Sequence, residues 1–166
     1  MNDQLEQLLD KQAINEVLQR CCRTLDWLDE PGQASCYWPD AAVEFGFFEG
    51  RAEEFVPMVM EHQRQAVKRW HLATSVMIKL DGAMAQAESY GITVGASNEG
   101  GECRMYGGRY LDTLEKRDSE WRIATRRYVL DWTKVFSDDS EVAELEGSTL
   151  TTLKVSEAGH EWYRPM

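Results

Sequence analysis

Apolar residues recur at steps of three and four near the start of the chain. This spacing places them on one stripe of a helix. The members of the stripe are Ile14, Val17, Leu18, Cys21, Leu25 and Leu28. Three leucines between positions 5 and 9 predict either a short preceding helix or an extension of this one. Pro31-Gly32 is expected to end the helix.

The next segment mixes turn, strand and helix signals. Trp38-Pro39-Asp40 predicts a turn, because a residue that precedes proline is disfavoured in helical geometry. Residues 42–48 predict a short strand or hairpin around Gly46. A second amphipathic helix is expected from Arg51 to about Arg69, with Pro57 tolerated if it falls in the first turn.

Strict alternation of apolar and polar residues dominates from position 71 onward. Four such segments are His71 to Leu80, Met84 to Ala96, Arg104 to Glu115 and Trp121 to Trp132. The turn residues between them predict antiparallel hairpins. Helices followed by a strand meander predict an α+β fold, with the helices packed on one face of a bent sheet.

One domain accounts for most of the 166 residues. We expect it to span residues 1–136. The segment 137–166 is mostly polar and acidic, and it predicts a loosely ordered arm or one that packs on a neighbouring subunit.

Net charge and cysteine content limit the possible classes of function and the expected cellular compartment. The formal charge of −11 argues against binding to nucleic acids or anionic membranes, which needs a cationic face. The N-terminus lacks the basic and apolar regions of a secretory signal, so we expect a cytoplasmic protein. The four cysteines form no C-x-x-C pair and predict reduced, mostly buried thiols.

The motifs of several enzyme classes are absent from the chain. There is no phosphate loop, no G-x-S-x-G elbow and no H-E-x-x-H, and only 3 histidines are scattered along the sequence. A metal site built from several imidazoles is therefore not expected, and no cofactor is predicted. After these classes are excluded, the remaining candidate chemistry is proton transfer by isolated polar groups in an apolar cavity.

Asp26 and His71 are the two candidates for that chemistry. Asp26 lies close to the apolar stripe of the first helix, and His71 opens a strand. A carboxylate that accepts one imidazole N–H fixes the tautomer and raises the basicity of the other nitrogen. The alternatives are an Asp26 that faces water and a His71 that forms a structural hydrogen bond at the rim of the sheet.

Arginine and tyrosine side chains are the candidates for holding a ligand. Alternation places Arg126 on the same strand face as Tyr128, Leu130 and Trp132, where its guanidinium could hold an anionic or enolate oxygen. A solvated arginine paired with a nearby acid is the alternative. Tyr37 and Tyr90 are weaker candidates of the same sort.

Four segments resemble the SnoaL-like family of the nuclear transport factor 2-like superfamily. They are DKQAINEVLQRCCRTLDWLD, CYWPDAAVEF, WHLATSVMIKLDG and GGRYLDTLEKRDSEWRIATRRYVLDW, which together run from about residue 10 to 135. The resemblance implies a cone-shaped barrel, made of a strongly curved antiparallel sheet closed by N-terminal helices. In several members of this family, which includes scytalone dehydratase and hexachlorocyclohexane dehydrochlorinase, an Asp and a His form the catalytic dyad. By position these are Asp26 and His71, and Cys21 stands where the dehydratases have a tyrosine.

The residues and the resemblance together predict a cofactor-independent lyase or isomerase, dehydratase-like in character. It would abstract a proton from a hydrophobic cyclic small molecule. The alternative is a non-catalytic ligand-binding protein, or the small structural subunit of an aromatic ring-hydroxylating dioxygenase. A homodimer or homotrimer is expected, because the outer face of such a sheet has no helix left to cover it.

Overall fold

Three helices cover the first part of the chain. The computed structural model of the protein describes residues 3–97, 101–137 and 157–166. Helices α1, α2 and α3 span Asp3–Asp26, Glu30–Ser35 and Ala52–Arg64. The early leucines extend α1, so there is no separate first helix in the described residues.

Two helix boundaries differ from the prediction. Pro31-Gly32 lies inside α2, where the missing N–H of a proline in the first turn costs nothing, and Asp29 caps this helix by accepting a hydrogen bond from the Gly32 N–H at 3.0 Å. α3 ends at Arg64 and not near Arg69, because residues 66–70 already pair as a strand.

Six strands form one sheet. Strands β1 to β6 span Tyr37–Glu44, Glu49–Arg51, Ala66–Asp81, Met84–Ser97, Glu102–Arg117 and Glu120–Ser137. Their order is β2-β1-β6-β5-β4-β3, and neighbours are antiparallel except for the parallel pair β1–β6. The predicted turn at residues 38–40 is wrong. Pro39 lies within β1, at the pairing irregularity between Tyr37 and Ala42, where a strand tolerates a missing donor.

The predicted α+β class, curved sheet and N-terminal helices are confirmed. The sheet remains open and does not close into a barrel, since β2 and β3 lie at its two edges. The hydrophobic core lies between the helices and one face of the sheet. Its members include Ile14 and Leu18 of α1, Phe55 and Met60 of α3, and Leu114 and Ile123 of the sheet, all of them fully buried.

The last described residues pack on the end of α1. Tyr163 is buried, with its ring centroid 5.5 Å from that of Trp27 and the guanidinium of Arg23 4.7 Å from its centroid. Residues 138–156 of the expected arm lie outside the described residues, so the boundary near residue 137 stays a prediction. Among the described residues, no helix combines the length and apolarity needed to cross a membrane.

Candidate active site

The end of α1 fixes the position of Asp26. Leu28 adopts a left-handed conformation with φ of 53°. The Asp29 N–H donates to the Thr24 carbonyl at 2.9 Å, and the Leu28 N–H donates to the Leu25 carbonyl at 3.3 Å. These two bonds form the motif that commonly terminates a helix with its last carbonyls satisfied. The last helical residue, Asp26, is therefore held at a defined point beside β3.

β3 brings His71 to that carboxylate. Alternation along the strand buries Arg69, His71 and Ala73. Oδ1 of Asp26 lies 2.7 Å from Nδ1 of His71, and Oδ2 accepts a hydrogen bond from the His71 backbone N–H at 3.1 Å. Both carboxylate oxygens thus hold one residue, which fixes the position of the ring as well as its backbone.

A cavity of about 690 Å³ opens in front of His71. The His71 ring is part of its wall, whereas Asp26 lies behind the ring and does not line this cavity. Because Asp26 is bonded to Nδ1, the other nitrogen, Nε2, is the one on the opposite edge of the ring. This arrangement leaves a single nitrogen of a carboxylate-bound imidazole for a ligand.

Aromatic rings form much of the remaining wall. Phe45 stacks on Phe55 with ring centroids 4.8 Å apart, and on Tyr128 with centroids 5.4 Å apart. The ring of Tyr110 lies over Gly91, where an added Cβ would come within 2.5 Å of Cε2 of the ring. A side chain at Gly91 would therefore displace Tyr110 from the wall.

A buried ion pair closes the inner end of the cavity. Arg126 donates from Nε and Nη2 to the two carboxylate oxygens of Asp112 at 2.7 and 2.8 Å. Its Nη1 lies 3.2 Å from both the Tyr37 hydroxyl and the Cys21 sulfur. The Arg126 and Asp112 side chains are 5% and 0% exposed, so solvent screens this two-point contact little.

The same network changes the acidity of the cavity thiol. Burial raises the pKa of Cys21, but a hydrogen bond with Cys36 and the positive charge of Arg126 outweigh burial, so the pKa falls to about 6. The hydrogen bond to Cys21 and burial raise the pKa of Cys36 well above its usual range. Burial likewise raises the pKa of Tyr37 well above its usual range.

Most of the predicted site residues lie together. Cys21, Tyr37, His71, Arg126 and Tyr128 all line the cavity, with Asp26 directly behind His71. Arg126 lies on the inner strand face, where a ligand-holding residue was predicted. Its guanidinium is also paired with Asp112, as in the alternative of an arginine paired with an acid, so both interpretations apply in part.

Tyr90 does not belong to the site, and Trp132 does not share the inner face. On β4, Ser89 and Gly91 are the buried neighbours, so the alternating Tyr90 points away from the cavity and is half exposed. On β6, pairing shifts so that Gly107 faces Trp132 and Gly108 faces Leu130, which leaves Asp131 as an extra residue. This bulge ends the alternation that the sequence predicted across Trp132.

Sequence reasoning missed Asp112 and Gln33. Asp112 shares the buried face of β5 with Tyr110 and Leu114, and an acid alternating with two apolar residues was a usable signal. Gln33 lies on α2, a helix that the sequence did not predict, and its Nε2 lies 3.5 Å from the Cys21 sulfur.

Metal ligands do not cluster in the part of the chain that the structure describes. Within residues 3–97, 101–137 and 157–166, no three His, Cys, Asp or Glu side chains come together in a way that could hold a metal ion.

Comparison with known proteins identifies the domain. Residues 6–127 match the family model of the SnoaL-like domain. A variant of Rv3472, a Mycobacterium tuberculosis protein of unknown function, is 31% identical, with 76% of this chain and 74% of that chain covered and a TM-score of 0.65. No curated protein matches the chain.

Two further solved structures share the fold at lower identity. A candidate scytalone dehydratase from Novosphingobium aromaticivorans is 16% identical, with a TM-score of 0.72 over 96% of this chain and 99% of that chain. The hexachlorocyclohexane dehydrochlorinase LinA-type3 from Novosphingobium barchaimii is 17% identical, with a TM-score of 0.73 over 80% and 94% of the two chains.

Proposed function

The chain belongs to the SnoaL-like domain family, and from this premise we propose that it is a cofactor-independent, dehydratase-like lyase or isomerase. Its substrate would be a hydrophobic cyclic small molecule that enters the aromatic-lined cavity. The observation that supports this proposal is the 2.7 Å contact between Asp26 and His71, with the His71 ring in the cavity wall.

His71 acts in this proposal as the general base. Its Nε2 removes a proton from a substrate carbon next to a carbonyl or another electron-withdrawing group. Asp26 accepts the Nδ1 proton, keeps the ring in the required tautomer and stabilises the imidazolium that forms. Because the ring is 7% exposed, water competes little for the base.

The negative charge that develops on the substrate oxygen needs a donor. Arg126 already directs Nε, Nη1 and Nη2 at protein acceptors, so we assign this role to a tyrosine hydroxyl. The Tyr110 ring lines the cavity, and the guanidinium of Arg126 lies 4.6 Å from its centroid. Burial raises the pKa of Tyr110 although the positive charge of Arg126 opposes the rise, so the hydroxyl keeps its proton and can donate a hydrogen bond to an enolate oxygen.

Proton abstraction can be tested without the natural substrate. In deuterated buffer, we expect the protein to accelerate deuterium incorporation at the α-carbon of 1-tetralone, a neutral bicyclic ketone, followed by NMR. His71→Ala should lower the catalysed rate by about 10²–10⁴-fold, the usual contribution of a general base. Asp26→Asn should lower it less, because an amide can still hold the ring but cannot stabilise the imidazolium.

His160→Ala is the matched control. His160 packs against the rings of Trp27 and Trp162 and is not among the residues that line the cavity, so its loss should leave the exchange rate near that of the wild type. Equal exchange by the wild type and His71→Ala, both with normal circular dichroism, would contradict the proposal. That result would favour the non-catalytic ligand-binding alternative.

A further inference from the structure

Asp112, Tyr37 and Cys21 together engage all three guanidinium nitrogens of Arg126. A guanidinium has five N–H donors. Asp112 engages Nε and Nη2 at 2.7 and 2.8 Å, and Tyr37 and Cys21 each lie 3.2 Å from Nη1. Recognition of a carboxylate by arginine normally uses two parallel N–H donors. Asp112 takes the Nε and Nη2 pair, and Nη1 is directed at Tyr37 and Cys21.

Charge compensation extends to the rest of the cavity. Among the described residues, two sets of charged groups lie at the cavity wall or directly behind it. One is the Arg126–Asp112 pair. The other is Asp26, whose negative charge interacts with the positive charge of Arg69. The thiol of Cys21, with its lowered pKa, adds negative charge and no positive charge. His62 at the wall is exposed and lies outside this network. A carboxylate inside the cavity would therefore lose its water without gaining an uncompensated cation, which is strongly unfavourable.

The composition of the wall defines the other half of the preference. Phe45 stacks on Tyr128 and on Phe55, with 16° and 20° between the ring planes. Because these rings stack on one another, they form a continuous apolar wall, which favours an apolar cyclic ligand that packs against it.

We propose that Asp112 determines the ligand class of this cavity. By pairing with Arg126 it excludes carboxylates and other organic anions, and the cavity takes an uncharged, largely apolar cyclic molecule with a carbonyl or similar polar group. This inference rests on the proposed function only in treating the cavity as the substrate site. Asp112 acts through Arg126 and is a specificity-determining residue without a role in the proton transfer.

A pair of probes that differ in charge but hardly in shape tests the inference. 2-Naphthamide and 2-naphthoate have the same ring and the same number of heavy atoms, and their affinities can be measured by ligand-observed saturation-transfer NMR. We expect the wild type to bind the amide at least about tenfold more tightly than the carboxylate. Asp112→Asn keeps the side-chain shape but leaves Arg126 uncompensated, so the affinity for 2-naphthoate should rise by at least about tenfold.

Asp40→Asn is the matched control. It makes the same change of charge at an exposed pair, Asp40 with Arg117 at 2.8 Å, and it should leave both affinities unchanged. If Asp112→Asn does not fold, the wild-type comparison still decides whether the cavity excludes anions. Tighter binding of 2-naphthoate than of 2-naphthamide to the wild type would overturn the exclusion of anions, and binding of neither probe would overturn the preference for apolar cyclic ligands. A folded Asp112→Asn without a gain for 2-naphthoate would remove the role of Asp112. Deuterium exchange that depends on His71 can persist in each of these cases, so the two proposals fail separately.

Discussion

Removing one partner of the Arg126–Asp112 pair should destabilise the protein far more than removing both. The two side chains are 5% and 0% exposed, and they share hydrogen bonds of 2.7 and 2.8 Å. Either single substitution, Asp112→Leu or Arg126→Met, leaves an uncompensated charge in the interior. Breaking a buried pair in this way typically costs about 3–5 kcal/mol. For a chain of 166 residues, that loss corresponds to a fall in Tm of about 6–20 °C.

The double variant Asp112→Leu/Arg126→Met should recover most of this loss. Apolar side chains of similar volume need no partner, and replacing a whole buried pair is often neutral or stabilising. Urea denaturation of the wild type, both single variants and the double variant gives the coupling energy directly. Losses that simply add, with the double variant about 6–10 kcal/mol less stable, would refute the reasoning. Asp40→Leu, at an exposed ion pair, should leave the urea midpoint nearly unchanged.

Three further outcomes are expected. Leu114 is fully buried, so Leu114→Ala should lower the free energy of unfolding in urea titrations by about 2–5 kcal/mol. A loss below about 1 kcal/mol would mean that the core at β5 repacks to fill the cavity. The pKa of Cys21 is lowered to about 6 and that of Cys36 is raised, so from about pH 6 to pH 8.5 the folded protein holds one proton fewer than the unfolded chain. Its stability relative to Cys21→Ser should therefore rise with pH in that window by up to about 1.4 kcal/mol per unit, and a constant difference would contradict the shift. Trp70, Leu72 and Trp132 expose apolar surface on the outer face of the sheet. Analytical ultracentrifugation should therefore show a dimer or trimer, and a single species near 19.1 kDa would count against it.

Periodicity predicted the strands better than the helix ends. Alternation from residue 71 to 132 corresponds to β3 through β6, because half-buried antiparallel strands need one apolar face. The error at Pro31-Gly32 has a physical cause, since proline ends one helix and equally begins another. The outcome depends on Asp29, which is free to cap α2 only after Leu28 has ended α1.

The candidate site was predictable residue by residue but not as a network. Asp26 and His71 are 45 positions apart, and the structure places their side chains 2.7 Å apart. The chemistry of a carboxylate–imidazole pair and the resemblance to the family predicted the dyad, but no local pattern predicts the contact. Asp112 alternates with apolar residues on β5, but the sequence does not show the cation that its buried carboxylate needs as a partner. Pairing between β5 and β6 decides that Asp112 meets Arg126, and a single sequence does not contain this register.

The protonation state of the His71 ring tests the central claim most directly. If Asp26 prepares His71 as a base for a cavity ligand, the neutral ring must carry its proton on Nδ1 and leave Nε2 unprotonated. Nitrogen-15 NMR of protein labelled at histidine distinguishes the two tautomers, and with only 3 histidines the signals can be assigned from His62→Ala and His71→Ala. We expect an Nδ1-protonated His71 that loses this preference in Asp26→Asn. A neutral His71 with its proton on Nε2 would contradict the assignment, because the nitrogen facing the cavity could then accept no proton.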